Sequence, residues 1–448
     1  MQNTNVQNNL KGFYRFFAAT VITVCLALLF AYAWFHRLNA LASRPFLVRG
    51  SWLVVCLYAA VIVTVFLPFG AYKIGFSRKF HVLLSQGWGL LLVNAIEFVL
   101  TAIIIGRFVM LPKMVPVFLW MYLAQLVMAL ILTVVLTNLY RALFPPFRML
   151  QITGDGESSL ADKMNARDDK FWVRSQMAAD VPLREIEREI DRYDAVLLNE
   201  LPSDLRNSIL KYCFVHKKRV YFAPRISDIL VMGSQEMNLF DSPLFLNKNA
   251  DSLIYYQFVK RCMDIVIASI GILLTSPFML AAAAAIHFYD GGPVFYRQKR
   301  LTKDGKTFEI LKFRSMIVDA EKDTGARLAA ENDDRITPVG HFIRKTRIDE
   351  LPQFFNILCG DMSVVGPRPE RPEIHEEYCE RVPEFDYRLR VKAGLTGYAQ
   401  VYGKYNTTTY DKLKFDLLYV EKAGILLDMQ LILLTLRVIL QKEATEGV

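Results

Sequence analysis

Four long apolar runs crowd the first third of the sequence and limit the folds that it can adopt. They cover approximately the stretches Phe13 to Phe35, Trp52 to Tyr72, Trp88 to Val109 and Val115 to Leu143. Each run has about the 20 residues that an α-helix needs to cross a bilayer. Tryptophans lie at or near the ends of the runs, where indole rings favour the membrane interface. The pattern predicts a four-helix transmembrane bundle in residues 1–147 rather than four buried helices of a soluble core.

The loops between these runs leave the orientation of the bundle open, because their Lys and Arg residues are nearly balanced between the two sides. An even number of crossings would place the N-terminus and everything after Phe144-Pro145-Pro146 on one side. The long polar remainder of the chain suits the cytoplasm. We therefore expect the residues after 147 to lie on the cytoplasmic face.

The formal net charge is +9, and cations are densest between Gly291 and Arg314, with seven Lys or Arg residues against two acids. Next to apolar segments, such a patch suits anionic headgroups or a phosphate-bearing substrate at the membrane surface. The sequence has no recognisable nucleic-acid-binding motif, so we expect no nucleic-acid partner. The six cysteines are scattered without a C-x-x-C pair, which disfavours a disulfide framework or a zinc site.

Residues 148–250 alternate between short apolar runs and helical patterns, as in a small α/β domain. The predicted elements are, in chain order, a strand at Arg148–Thr153, a helix at Pro182–Arg192, a strand at Ala195–Asn199, a helix at Ser203–His216 and a strand at Arg219–Pro224. Gly154-Asp155-Gly156 resembles a dinucleotide-binding turn, but Ser159 stands in place of its third glycine. We predict a degenerate Rossmann-like domain without a working cofactor site, with a regulatory or oligomerisation role.

The apolar segment from Asp264 to Tyr289 is long enough to span a membrane, but Ser276-Pro277 lies at its middle. Proline removes one helical N–H and clashes with the carbonyl of Leu273, so a bend is expected. The Ser276 hydroxyl can cover part of the backbone that this exposes. A kinked spanning helix and a re-entrant helix-break-helix over residues 260–289 both fit. Cations flank the segment on both sides, which favours the re-entrant form.

Beyond this segment the chain becomes polar and contains two adjacent carboxylates. Thr337-Pro338 supplies an N-cap and a proline at the first helical position, which predicts a helix to about Thr346. A second helix is predicted to begin at Asp349, with Glu350 in its first turn. An aspartate there has a structural explanation, because it is a favoured N-cap and suits the helix dipole.

The same pair also suits catalysis, since a helix N-terminus keeps a carboxylate ionised and can receive a phosphate. Arg344, Lys345 and Arg347 immediately precede the pair. Downstream, the stiff loop Gly366-Pro367-Arg368-Pro369 supplies a guanidinium for bidentate phosphate contact. A carboxylate nucleophile, a second acid able to hold a metal and fixed cations are what phosphoryl transfer requires.

Five ordered motifs between residues 312 and 401 resemble those of the bacterial sugar transferase family, the monotopic polyprenyl-phosphate phosphoglycosyl transferases. They are Lys312-Phe313-Arg314-Ser315-Met316, Asp349-Glu350-Leu351-Pro352-Gln353, Gly360-Asp361-Met362-Ser363, Gly366-Pro367-Arg368-Pro369 and Gly394-Leu395-Thr396-Gly397-Tyr398-Ala399-Gln400-Val401. The resemblance runs from about Tyr256 to the C-terminus. With its four apolar runs and middle α/β segment, the chain resembles the large form of the family, which starts capsule, exopolysaccharide or O-antigen assembly.

The resemblance implies a bacterial inner-membrane enzyme that moves hexose 1-phosphate from a UDP-hexose, with glucose or galactose expected, to undecaprenyl phosphate and releases UMP. Asp349 would be the nucleophile that forms a covalent phosphosugar intermediate. Glu350 would help hold Mg²⁺ or assist the second step, with Asp349 and Glu350 as the metal ligands. The re-entrant helix of the family has a serine–proline break, which Ser276-Pro277 matches.

The resemblance also implies residues that bind substrate or phosphate: Lys312, Arg314, Pro367, Arg368, Pro369 and Gln400. Simple headgroup contacts are the alternative role for Lys312 and Arg314. Tyr398 departs from the family pattern, because many members have tryptophan there, although an aromatic ring is retained. A homodimer is expected because the additional domains need some role.

The predicted fold is an α-helical membrane protein with added α/β parts. It consists of the bundle at 1–147, the Rossmann-like domain at 148–250 and a monotopic catalytic domain with its re-entrant helix at 251–448. Two other functions stay open. A conventional membrane glycosyltransferase would release UDP, but it would need a large nucleotide-binding domain or a D-x-D motif. A non-catalytic membrane scaffold or nucleotide sensor would tolerate Asp349→Asn.

Overall fold

The structure is a computed structural model that describes residues 2–154, 160–167, 169–239, 241–247, 254–318, 333, 335–403 and 407–439. The chain divides into two compact units, Met1–Ala223 and Pro224–Val448. Asp155, Gly156 and Ser159, on which the prediction of a degenerate dinucleotide-binding turn depended, lie outside the described residues.

Four long apolar helices open the first unit. They are α1 (Gln2–Ala33), α2 (Val48–Phe69), α3 (Lys79–Ile105) and α4 (Leu111–Leu143). Helices α1 and α3 each pack against both α2 and α4. By length and composition all four could cross a membrane, as the apolar runs predicted. Their packing as a transmembrane bundle stays a prediction.

Polar side chains link these helices through their interior. The amide of Gln125 on α4 donates to the hydroxyl of Tyr58 on α2 (2.7 Å), and that of Asn94 on α3 donates to Gln125 (2.9 Å). Among apolar surroundings such bonds cannot be exchanged for water, so they favour one arrangement of the helices.

A four-stranded parallel sheet in the order β2-β1-β3-β4 completes the first unit. Its elements are β1 (Phe147–Thr153), α5 (Leu160–Asn165), β2 (Phe171–Ala178), α6 (Leu183–Ile190), β3 (Ala195–Asn199), α7 (Ser203–Val215) and β4 (Arg219–Phe222). The three predicted strands and two predicted helices are confirmed. Strand β2 was missed because it is an edge strand whose residues are mostly exposed or half-buried, so it lacks the apolar run of β3.

The second unit mixes short helices with two-stranded sheets around one long helix. Its helices are α8 (Ile226–Met232), α9 (Ile254–Asp290), α10 (Pro338–Lys345), α11 (Gln353–Cys359), α12 (Pro372–Arg381), α13 (Tyr398–Tyr402), α14 (Thr409–Lys422) and α15 (Ile425–Ile439). Its strands are β5 (Gln235–Leu239), β6 (Ser242–Leu246), β7 (Phe295–Leu301), β8 (Thr307–Phe313), β9 (Ser363–Val365) and β10 (Gly394–Thr396). The predicted domain boundary at residue 250 stays a prediction, although α8 packs on α14 within this unit.

Helix α9 is the fifth helix that is long and apolar enough to cross a membrane. It continues through Pro277 without a break in the helix, unlike the predicted helix-break-helix. The Ser276 hydroxyl donates to the carbonyl of Leu273 (2.9 Å), so the acceptor that Pro277 cannot pair with is satisfied. Whether α9 spans the membrane or is re-entrant stays a prediction.

Both ends of α9 contact the rest of the second unit. Near its start, the Asp264 carboxylate accepts hydrogen bonds from the Ser363 hydroxyl (3.0 Å) and the Val364 N–H (2.9 Å) of β9. At its last residue, Asp290 forms an ion pair with Arg314, just after β8. Strand β9 leads directly into residues 366–369, so this helix helps to position that loop.

We predict that Asp264→Ala lowers the free energy of unfolding by about 1–3 kcal/mol, because the buried Val364 N–H loses its acceptor. Heat denaturation in detergent measures the loss. Asp264→Asn is the matched control, since it keeps an oxygen at that N–H and should lose less. Equal losses for the two variants would show that the hydrogen bond is not what matters.

Candidate active site

The two adjacent carboxylates lie in a tight turn between α10 and α11. Thr337 caps α10 as predicted, with its hydroxyl accepting from the N–H of Gly340 (2.9 Å). Arg347 then adopts the left-handed conformation (φ +55°), and residues Ile348–Glu350 form one turn of 3₁₀-helix.

The predicted α-helix start at Asp349 is wrong, because α11 begins at Gln353. The chain reverses within two residues after α10, and this tightens the next turn to i→i+3 hydrogen bonds such as Leu351 N–H to Ile348 O (3.1 Å). In the described turn, the side chain of Asp349 makes no hydrogen bond that caps a helix. The N-cap explanation for this aspartate therefore does not apply.

Strand β8 carries Lys312 to this turn, and Asn356 of α11 holds the strand in place. The Asn356 side chain donates to the carbonyl of Glu309 (2.8 Å) and accepts from the N–H of Leu311 (2.8 Å). The adjacent Lys312 ammonium then donates to the Glu350 carboxylate at 3.1 Å. Lys312, which precedes Glu350 by 38 residues in the chain, thus brings one cation to the carboxylate pair.

The loop Gly366-Pro367-Arg368-Pro369 supplies a second cation, and its backbone is fixed on both sides. The Gly366 N–H donates to the carbonyl of Thr396 (2.8 Å), and the Gly394 N–H donates to the carbonyl of Pro367 (2.9 Å). A Cβ at Gly366 would collide with the carbonyl of Lys392, and one at Gly394 with the backbone of Gly366. The glycines of both motifs are therefore needed for this close approach of two chain segments.

Three cations surround Glu350. Its carboxylate accepts from Arg368 (2.8 Å) and Lys312 (3.1 Å) and lies 4.0 Å from Arg347. Burial alone would raise the pKa of Glu350, but these cations outweigh it and hold the pKa well below the usual range. Glu350 is therefore ionised at every physiological pH.

Asp349 is in the opposite situation. It is partly exposed, and no described residue donates a hydrogen bond to its carboxylate or forms an ion pair with it. Burial and the adjacent Glu350 charge raise the pKa of Asp349 to about 6, against the attraction of Lys312, Arg344 and Arg368. At neutral pH the group is mostly ionised, accessible and without a partner, which are the properties of a nucleophilic carboxylate.

The pair also suits one divalent cation of the magnesium type. Magnesium usually takes one or two protein carboxylates and completes its shell with waters and substrate phosphates. The free carboxylate of Asp349 and the second oxygen of Glu350 provide such a pair. Among the described residues there is no group of three or more His, Cys, Asp or Glu side chains that could form an all-protein metal site.

The structure places the other predicted site residues differently. Arg314 is buried against Asp290 and the carbonyl of Pro293, so it fastens the end of α9 rather than contacting either carboxylate of the pair. Gln400 on α13 has both side-chain polar atoms buried without a hydrogen-bond partner, close to Gly397. The carbonyls of Pro367 and Pro369 accept structural hydrogen bonds from the residues around the loop.

Sequence reasoning missed the buried ion network beneath the loop. Arg388 and Asp416 form an ion pair at 2.8 Å with only 1% of each side chain exposed, and Glu370 lies between Arg388, Arg300 and Lys412. No motif marked these residues, because they are brought together only by tertiary packing of segments far apart in the chain.

Comparisons with known proteins identify the family of this chain. A family model described as bacterial sugar transferase matches residues 255–442. A Bacillus subtilis protein, provisionally named undecaprenyl-phosphate N-acetylgalactosaminyl 1-phosphate transferase, is 48% identical over 134 residues, which are 30% of this chain and 74% of that protein. The chain belongs to the bacterial sugar transferase family.

Longer relatives match in the same family. The UDP-N-acetylgalactosamine-undecaprenyl-phosphate N-acetylgalactosaminephosphotransferase of Aeromonas hydrophila is 39% identical over 56% of this chain and 59% of its own length. The UDP-glucose:undecaprenyl-phosphate glucose-1-phosphate transferase of Klebsiella pneumoniae is 42% identical over 46% of this chain and 45% of its own length. The chain thus spans about half the length of these curated relatives.

We predict that Asp349→Asn raises the melting temperature at pH 8. A folded-state pKa above the unfolded value of 3.8 means that ionised Asp349 destabilises the fold, fully so above about pH 6. The gain should shrink as the pH falls from 6 to 4, where native Asp349 is protonated. Melting curves of both proteins across this range measure it. A constant gain at all pH values would contradict the raised pKa.

Proposed function

We propose that this chain transfers a sugar 1-phosphate from a UDP-sugar to undecaprenyl phosphate, releasing UMP, through a covalent intermediate on Asp349. The observation that carries the proposal is the contrast within the carboxylate pair. Glu350 is held by three cations, whereas Asp349 is accessible and unbonded beside them. The names of the relatives support the same reaction, since they describe undecaprenyl-phosphate sugar phosphotransferases.

In the proposed first step, a carboxylate oxygen of Asp349 attacks the phosphorus that carries the sugar. The bond between this phosphorus and the bridging oxygen breaks, and UMP leaves with that oxygen and the electron pair. In the second step an oxygen of undecaprenyl phosphate attacks the same phosphorus. The bond to Asp349 breaks, its carboxylate is restored, and a lipid diphosphate sugar is formed.

The chain's cations fit the charge that this reaction develops. Lys312, Arg347 and Arg368 converge on Glu350, so a diphosphate placed beside Asp349 meets fixed positive charge on a preformed loop. Mg²⁺, which Asp349 and Glu350 would hold, would neutralise diphosphate charge and assist departure of UMP. Arg368 would bind phosphate through the part of its guanidinium that Glu350 leaves free.

Product analysis tests this proposal. We predict that the protein in nanodiscs, with undecaprenyl phosphate and Mg²⁺, releases UMP from one of UDP-glucose, UDP-galactose or UDP-N-acetylgalactosamine. The panel follows the sugars in the names of the relatives. Asp349→Ala should abolish release because the nucleophile is lost. Arg381→Lys is the control, because Arg381 forms an exposed ion pair with Glu377 on α12 and takes no part in the candidate site.

The product separates the competing functions. UDP in place of UMP would identify a conventional glycosyltransferase and exclude the covalent mechanism. Full UMP release by Asp349→Ala would remove this residue from its proposed role. An absence of nucleotide release with every donor, together with tolerance of Asp349→Asn in cells, would favour a membrane scaffold.

We also propose that α9, although helical throughout, bends at Ser276-Pro277 and so enters and leaves the membrane on the cytoplasmic face, with α1–α4 crossing the inner membrane. Residues on both sides of Pro277 contact the same polar unit, Asp264 before the proline and Asp290 after it. A helix that crosses the bilayer would leave one end on the far side. Between these two aspartates α9 presents an apolar face, including Leu273, Leu274 and Leu280, which are each about 70% exposed.

Thiol labelling tests the re-entrant topology. In a cysteine-free background, we predict that Tyr255→Cys and Phe288→Cys, both at strongly exposed positions, react with an impermeant reagent from the cytoplasmic side only. Inside-out vesicles should label at both sites and intact spheroplasts at neither. Labelling of the two sites from opposite sides would establish a spanning helix.

A further inference from the structure

Two arginines hold the backbone of the loop Gly366-Pro367-Arg368-Pro369 at successive residues. The Arg388 guanidinium donates to the carbonyl of Arg368 (2.8 Å), and the Arg300 guanidinium donates to the carbonyl of Pro369 (3.0 Å). Leu301 N–H donates to the next carbonyl, that of Glu370 (3.0 Å). The backbone of Arg368, whose guanidinium pairs with Glu350, is therefore held by the side chain of Arg388, which lies 20 residues later in the chain.

Arg388 is itself fixed by two acids. Its Nε and Nη2 atoms both lie 2.8 Å from the Asp416 carboxylate, and Nη1 lies 3.8 Å from Glu370. Only 1% of the Arg388 and Asp416 side chains is exposed. Glu370 completes the network by pairing with Lys412 and Arg300. The planar guanidinium of Arg388 can donate to a carboxylate and to a backbone carbonyl at the same time only in one orientation.

A buried ion network of this kind adds little to the free energy of unfolding by itself. The desolvation of buried charges often cancels their attraction, and an apolar replacement of the same shape can be as stable. A small cavity of about 10 Å³, lined by Arg368 and Arg388 among others, leaves little room for the backbone to shift. What the network does hold directly is the backbone carbonyl of Arg368.

We propose that Arg388, oriented by Asp416 and Glu370, is a positioning residue that acts through Arg368. By holding the Arg368 carbonyl, it aims the Arg368 guanidinium at the site where Glu350 and the substrate phosphate meet. This inference rests on the proposed function, in which Arg368 binds phosphate. The Arg388 guanidinium itself pairs with Asp416 and Glu370 rather than with either carboxylate of the pair.

A double-mutant cycle separates positioning from a merely structural role. Arg388→Lys keeps the charge but cannot bridge Asp416 and the Arg368 carbonyl as a planar fork does. We expect it to lower kcat/KM for the UDP-sugar by about 10- to 100-fold, as for a small misplacement of a binding group. In an Arg368→Gln background the same change should have little further effect. Losses that multiply in the double variant would overturn the inference.

Two further variants complete the cycle, one as a control and one as a replacement. Arg381→Lys serves again as the matched control on an exposed pair and should change nothing. If Arg388→Lys does not fold, Asp416→Asn replaces it in the cycle, since the amide leaves an oxygen for the guanidinium but removes the charge.

The cycle is also run on binding of UDP with Mg²⁺ by calorimetry, which needs no turnover. Coupled losses of UDP affinity in a protein that releases no UMP would support the positioning role and reject the proposed function. If the native protein releases UMP but the two substitutions cause independent losses of UDP affinity that multiply, the proposed function is supported and the positioning role is rejected. A protein that binds no UDP would overturn the inference, because the loop would then have no phosphate to hold.

Discussion

The cation cluster around Glu350 is the interaction on which the candidate site depends. Lys312 comes from β8, Arg347 from the turn after α10, and Arg368 from the loop after β9, and all three meet one carboxylate. Without Glu350, three positive charges would face one another at short range. With it, the three segments are held together before any substrate is bound. The glutamate thus preorganises a cationic site that a diphosphate can use.

The same cluster separates the properties of two neighbouring carboxylates. Glu350 takes the hydrogen bonds and stays ionised, and its negative charge raises the pKa of Asp349. A higher pKa goes with a more basic carboxylate, which is the better nucleophile once it is ionised. At a pKa of about 6 the group combines this basicity with ionisation at neutral pH. Glu350 therefore holds the surrounding segments together, whereas Asp349 keeps the properties that the proposed nucleophile requires.

Much of this arrangement could be predicted from local patterns. The apolar runs, the strands β1, β3 and β4 and the Thr337 cap are all set by residues close in sequence, and the structure has them where they were expected. The predicted helix at Asp349 failed because the reversal at Arg347, not the capping preference of aspartate, decides the turn. Arg388 and Asp416 could not be found, because 28 residues separate them and only tertiary packing makes them a pair.

The position of Arg314 shows how a motif residue can serve the site without contacting it. Lys312 and Arg314 share one motif, yet Lys312 is directed to Glu350 and Arg314 to Asp290 at the end of α9. Strand β8 therefore connects the carboxylate pair with the end of the apolar helix α9 through two side chains of the same charge. In the first third of α9, Asp264 holds β9 and hence the loop of Arg368. In the proposed reaction a lipid phosphate is the acceptor, and a site fastened to the apolar helix α9 on both sides of Pro277 would be held where that acceptor meets the membrane surface.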